Sequence, residues 1–217
     1  DKNPKKENNS LMNENFLDLN KFEKSDLIMK SDIYKSYKVK SKETGSTYLC
    51  KISMIKISNF SRDDLIKLSR EVNLISQLNH PSFLKFIGYS PINFKHQNKP
   101  VIITEFPMKG SLFNVLGKVR KKRNVLNWND TKKLIIIYGI ASGMSYLHSN
   151  NVIHRDLNPK NVFLDDNLYP KLGDFGLSIR NHNVESMTYQ STSGMKGTPV
   201  YSSPEILKFN DYSKSGD

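Results

Sequence analysis

Apolar positions in the first hundred residues recur in short, β-branched and aromatic pieces separated by polar turns. Leu27–Met29, Tyr34–Val39 and Thr47–Ile52 predict three successive antiparallel strands, with Lys42–Ser46 as a hairpin turn. The period then lengthens. Leu65, Leu68, Val72 and Ile75 fall at helical spacing across Arg62–Leu78, with Ser61 as N-cap and Asp63 and Asp64 in the first turn. Phe83–Tyr89 and Val101–Glu105 read as two further strands, separated by the polar loop Asn93–Pro100, and complete a five-stranded sheet. A long helix follows, with Asn127 as its cap and Leu134, Ile137, Tyr138, Ala141, Met144 and Leu147 as its apolar face, ending near Ser149–Asn151. Beyond it, Val162–Leu164 and Pro170–Leu172 predict a short hairpin around Asp165–Asn167.

Composition refines this picture at the ends and on the surface. Hydrophobic residues make up 37% of the 217, and with eleven Phe and ten Tyr they supply a core diluted by a polar segment. Residues Asp1–Asn15 carry Lys, Asn and Glu and almost nothing apolar, so they are expected to be disordered; no apolar run follows the lysines as in a signal peptide. No stretch is long and apolar enough to span a membrane, and with no targeting signal the default expectation is a soluble, cytoplasmic protein. The one cysteine, Cys50, excludes an internal disulfide framework and reads as a small apolar strand residue. The net charge of +12 concentrates in Lys118–Arg123, which reads as a solvated loop in preference to a docking patch for acidic partners. It has no interleaved aromatics on which bases could stack, so no nucleic-acid partner is expected. No feature fixes an oligomeric state.

The chemistry concentrates in His154-Arg155-Asp156-Leu157-Asn158-Pro159-Lys160-Asn161 and, after twelve intervening residues, Asp174-Phe175-Gly176. A carboxylate, an amide five residues on and a second carboxylate are the oxygen groups needed to hold Mg²⁺ and a hydroxyl nucleophile around a nucleotide phosphate. With Lys51 and Glu71 upstream and Gly197-Thr198-Pro199-Val200-Tyr201 and Ser203-Pro204-Glu205 downstream, the chain resembles the eukaryotic protein kinases. The spelling is nearest the Ser/Thr type and the tyrosine-kinase-like group.

The resemblance implies an α+β, two-lobed kinase fold: a five-stranded antiparallel N-lobe sheet with one regulatory helix, and a mainly helical C-lobe. It sets a polar tail over residues 1–20, the N-lobe over 21–104, and the hinge and first part of the C-lobe over 105–217. It implies a signalling enzyme that transfers the γ-phosphate of ATP, with Mg²⁺, to Ser or Thr hydroxyls of a protein substrate. Asp156 would act on the hydroxyl, with Asn158 beside it, and Asn161 and Asp174 would ligate the metal. Lys51, aimed by Glu71, would reach the phosphates, and Thr104, Glu105 and Pro107 would line the adenine site at the hinge, Thr104 as a small gatekeeper. Ile75, Phe86, His154 and Phe175 would stack into a spine linking the lobes. Gly110-Ser111-Leu112 would begin a short helix. A phosphate on Ser186, Thr188, Tyr189, Ser191, Thr192 or Ser193 would pair with Arg155.

Departures from the family pattern gather around the nucleotide. Met29, Ser31 and Tyr34 stand where three glycines of a phosphate-covering loop belong, and no glycine precedes Gly45. Ser36 replaces the usual valine, Leu49 the usual alanine, and Asn158 the usual lysine near the transferring phosphoryl group. The pattern stops at Asp217, which matches the first anchoring aspartate of the central C-lobe helix, so a fragment covering roughly the first two thirds of a kinase domain, poorly stable by itself, is expected. Two functional readings follow: an active kinase, supported by the intact catalytic and metal residues, and a pseudokinase that uses the fold as a binding or allosteric module, supported by the altered nucleotide roof.

Overall fold

The computed structural model describes residues 16–30, 34–125, 128–180, 188–190 and 197–217. The chain divides into two compact units, one running to Leu78 and including Lys85–Phe106, the other made of Asn79–Leu84 and Pro107–Asp217.

The first unit is a five-stranded antiparallel sheet of β1 (Phe22–Lys30), β2 (Tyr34–Ser41), β3 (Thr47–Ser53), β4 (Phe86–Ser90) and β5 (Val101–Glu105), in the order β1-β2-β3-β5-β4. Because successive side chains point to opposite faces, the register sorts the sheet into two surfaces. One carries Val39, Cys50, Ile52, Val101 and Ile103, which pack with Leu19 and Phe22 into a buried core. The other carries Tyr34, Ser36, Leu49, Lys51, Ser53 and Thr104, which face one another as the cross-strand pairs Tyr34/Ser53, Ser36/Lys51 and Leu49/Thr104. Lys51 is therefore separated from the core by the alternation of a single strand.

Helix α1 (Arg62–Gln77) packs beside β4. Ser61 caps it as expected: its hydroxyl accepts from Asp64 N, and the Asp64 carboxylate accepts from Ser61 N, a reciprocal capping box. Leu68, Val72 and Ile75 are buried, whereas Leu65, expected on the same face, is 42% exposed. The fourth strand begins at Phe86 and not at Phe83. Leu84 N donates to Leu172 O and Leu172 N to Ser82 O, so the backbone on either side of Phe83 is bonded within the second unit.

In the second unit, β6 (Gly110–Ser111), β8 (Val162–Leu164) and β9 (Pro170–Leu172) form one small sheet. β7 (Val152–Ile153) pairs with β10 (Ile179–Arg180), and β11 (Thr188–Gln190) with β12 (Asp211–Ser213). Helix α2 (Leu112–Arg120) is capped by Ser111, and its last turn contains Lys118 and Arg120. Half of the basic run is thus helix and not loop, with its cations at the end where the helix dipole favours them.

The long helix α3 (Asp130–Ser149) is capped by Asn129, whose side chain accepts from Lys132 N; Asn127 lies outside the described residues. Its packed face also differs from expectation. Ile136, Gly143, Met144 and Leu147 are buried, while Leu134, Ile137 and Tyr138 are 67%, 63% and 76% exposed. Glycines decide the orientation: a Cβ at Gly143 would lie 2.8 Å from Leu172 Cδ1, and one at Gly139 would overlap Pro170, so this stripe lies against β9. Helix α4 (Pro204–Phe209) follows a single 3-10 turn, Pro199–Tyr201. Among the described residues no helix is long and apolar enough to cross a membrane.

Candidate active site

In the second unit the candidate residues are brought together by an unusual stretch of backbone. Arg155 (φ 68°) and Asp174 (φ 62°) both occupy the left-handed region, uncommon for residues with a side chain and held only where surrounding contacts fix it. For Arg155 those contacts come from Asp217, whose side chain is 1% exposed. Asp217 Oδ2 accepts from His154 N at 2.7 Å and Oδ1 from Arg155 N at 2.6 Å, and His148 Nε2 lies 3.0 Å from Oδ2. Arg155 Nε donates to Leu177 O, and its guanidinium lies 5.3 Å from the Tyr212 ring centre.

The fully buried His154 ties this loop to the next. Asp156 N donates to its Nδ1 at 3.3 Å, so the proton sits on Nε2, which donates to Gly173 O at 3.3 Å. Gly173 N in turn donates to Asn161 O at 3.0 Å. These bonds bring the start of Asp174-Phe175-Gly176 alongside Asn161. Phe175, 3% exposed, stacks on His154 at 5.2 Å and on Phe83 at 5.8 Å. Phe83, a residue with no distinguishing local pattern, thus joins this aromatic cluster.

Asp156 is the centre of a dense hydrogen-bond network. Its Oδ1 accepts from Thr198 Oγ1 at 2.7 Å and from Asn158 Nδ2 at 3.0 Å, and its Oδ2 accepts from Asn161 Nδ2 at 2.8 Å. Both amides also donate to Asp156 O, at 3.1 and 2.9 Å. Asn158 is 5% exposed; its Oδ1 accepts from Lys160 N, and its Nδ2 donates to Thr198 Oγ1 at 3.3 Å as well as to Asp156. Thr198 reaches Asp156 because Gly197, at φ 94°, lets the chain pass against Arg155 O, where a Cβ would collide.

Asn161 points its amide nitrogen at Asp156, so its carbonyl oxygen Oδ1 is the end not used in holding that carboxylate. Among the described residues no three His, Cys, Asp or Glu side chains converge as a metal cage. One amide oxygen and one carboxylate are hard donors that fit Mg²⁺, an ion that keeps waters and takes its other ligands from substrate phosphates.

In the first unit, Lys51 Nζ bonds Glu71 Oε1 at 3.1 Å; the lysine side chain is 24% exposed and the glutamate 7%. Lys51 also lies 4.3 Å from the centre of the Tyr34 ring, a contact foreshadowed only by the β2/β3 register. Thr104 and Glu105 end β5, and Pro107 is buried at the start of the following segment. Ile75 and Phe86 belong to this unit, His154 and Phe175 to the other.

Of the hydroxyls expected to take phosphate, Ser186, Ser191, Thr192 and Ser193 lie outside the described residues, as does Ser31 of the phosphate-covering loop. Thr188 and Tyr189 lie on β11, opposite Ser213 and Tyr212.

An antiparallel five-stranded sheet with a lysine–glutamate pair, and a separate unit with an Asp-Asn loop beside an Asp-Phe-Gly turn, define the protein kinase class. The sequence matches the protein kinase domain family over residues 32–217, and the chain belongs to that family. It is 34% identical over 200 residues to L-type lectin-domain containing receptor kinase V.9 of Arabidopsis thaliana, covering 90% of this chain and 28% of that protein. It is 30% identical over 177 residues to serine/threonine-protein kinase CTR1 of the same plant, covering 80% and 20%. With the probable serine/threonine-protein kinase drkB of Dictyostelium discoideum it shares 31% identity over 168 residues, covering 76% and 22%. The chain spans about a quarter of the length of these relatives.

Proposed function

We propose that this chain is the catalytic part of an ATP-dependent Ser/Thr protein kinase. The observation that carries this reading is the network on Asp156: a carboxylate held by Thr198, Asn158 and Asn161 from three positions of the chain. Bound Mg–ATP supplies the electrophilic γ-phosphoryl group. Asp156 accepts a hydrogen bond from the substrate hydroxyl, aims its oxygen and takes its proton as the phosphate ester forms and ADP departs. Asn161 fixes Asp156 through Nδ2, and its Oδ1 with the Asp174 carboxylate would hold the metal, which would neutralise the phosphate charge. Lys51, aimed by Glu71, holds the nucleotide phosphates, while Thr104, Glu105 and Pro107 line the adenine side. Asn158 serves as a positioning residue for Asp156, because its hydrogen bonds go to Asp156, to Lys160 N and to Thr198, the other residue that holds Asp156. The names of the relatives, Ser/Thr and receptor kinases, support the same activity, a protein substrate and a place in signalling.

The pseudokinase reading is not favoured, since Lys51, Glu71, Asp156, Asn161 and Asp174 are all present and the first pair is formed. The test is calorimetric titration of the full-length protein with Mg–ATP, beside phosphotransfer to a Ser/Thr-rich protein. Binding that needs Lys51 and phosphotransfer abolished by Asp156→Asn are expected. A folded protein that binds no nucleotide at millimolar ATP would sink the kinase reading.

A further inference from the structure

Two contacts of Lys51 differ in kind, and only one of them belongs to the expected phosphate machinery. Glu71 holds the ammonium at 3.1 Å, and the Tyr34 ring meets it at 4.3 Å, well inside cation–π range. The second contact follows from strand geometry. Lys51 pairs directly with Ser36 across the β2/β3 ladder, and Tyr34 pairs with Ser53, so Tyr34 is the diagonal neighbour of Lys51 on the same face. Ser36, the direct neighbour, is small and buried, and it is the diagonal Tyr34 ring that meets the ammonium. Met29, paired with Ser36 from β1, lies on this face too. Two of the three positions where glycines were expected therefore bring side chains to the surface that carries Lys51, and one of them covers its charge.

We infer that Tyr34 is a gate on Lys51: its ring competes with nucleotide phosphate for the ammonium and sets how tightly the triphosphate, as distinct from the nucleoside, is held. This rests on the reading of Lys51 as the phosphate-binding lysine. A ring offers the lysine a weak, polarisable partner that shields it from anions in the empty protein, and phosphate must displace that ring before it meets the charge. A glycine at this position has nothing to displace.

The test is calorimetric titration of the full-length protein with Mg–ATP and, separately, with adenosine, which has no phosphate to meet Lys51. Four variants are compared with the parent: Tyr34→Phe, Tyr34→Leu, Tyr34→Gly and Lys51→Met. Tyr34→Leu and Tyr34→Gly are expected to tighten ATP roughly tenfold while leaving adenosine unchanged, and Tyr34→Phe, which keeps the ring, to match the parent. Adenosine binding doubles as the check that each variant is folded. If Lys51→Met weakens ATP but Tyr34→Leu leaves it unchanged or weaker, the gate is refuted while the kinase reading stands. A gain in Tyr34→Gly alone refutes it too, because backbone freedom and not the ring would then be the cause. If Lys51→Met does not change ATP affinity, the phosphate role of Lys51 fails and the gate falls with it.

Discussion

Thr198 donates its hydroxyl to Oδ1 of Asp156 at 2.7 Å, across forty-two positions of sequence. A hydrogen bond to a charged acceptor contributes about 1.5–3 kcal/mol, and here it orients the carboxylate that is to receive the substrate proton. Thr198→Val keeps the shape and removes the donor. Phosphotransfer kcat is expected to fall roughly tenfold to a hundredfold with the KM for ATP unchanged, and Thr198→Ser to restore most of it. Equal losses in the valine and serine variants would show that the hydroxyl is not what matters.

Gly197 makes that bond possible. Its φ of 94° and the position of Arg155 O leave no room for a β-carbon, so Gly197→Ala must push Thr198 away from Asp156. A displacement of even an ångström at a reacting group costs roughly a hundredfold. Gly197→Ala is therefore expected to lose at least as much kcat as Thr198→Val, with ATP affinity measured by calorimetry unaffected.

The Lys51–Glu71 pair makes a different kind of prediction. Glu71 is 5% exposed, so removing Lys51 takes a cation away from a buried carboxylate, whereas replacing both ends by apolar groups removes the buried charge as well. Urea unfolding is expected to show Lys51→Met destabilised by about 3 kcal/mol and Lys51→Met/Glu71→Leu recovering most of that loss. A double variant as unstable as the sum of two single variants would mean the pair contributes no coupling.

How much of this was legible in the residues depends on how local each cause is. Lys51 and Glu71 could be paired in advance because the resemblance to the protein kinases implies that pair, and Ser61 could be placed because a cap acts within three residues. The buried face of α3 could not be read in the same way. Leu134, Ile135, Ile136 and Ile137 are apolar all round the helix, and the choice among them is made by Gly139 and Gly143 fitting against Pro170 and Leu172, partners distant in sequence. Asn158 shows the limit at the site itself. Its identity marked a missing positive charge, but the fold spends both ends of its amide on Asp156, Thr198 and Lys160 N, one of them forty positions away.

Cys50 offers a test of the first unit's core that needs no assay of activity. Its side chain is fully buried between Val39, Ile103 and their neighbours, and burial pushes its thiol from an ordinary 9.0 up to about 12. The nearby Lys24 opposes this shift but is the smaller influence. At pH 8 the folded protein is expected to leave a thiol-specific reagent such as Ellman's unreacted, and to react with one equivalent after denaturation. The same burial fixes the sign of a pH effect. A folded pKa raised above the unfolded one means full stabilisation below the unfolded value and progressive loss above it, so this contribution declines as pH climbs from about 9 toward about 12. Cys50→Ala removes the titrating group, and its urea midpoint is expected to fall less steeply over that range than the parent's. Parallel curves for the two proteins, or rapid labelling at pH 8 without denaturant, would show that Cys50 is not sealed in the sheet.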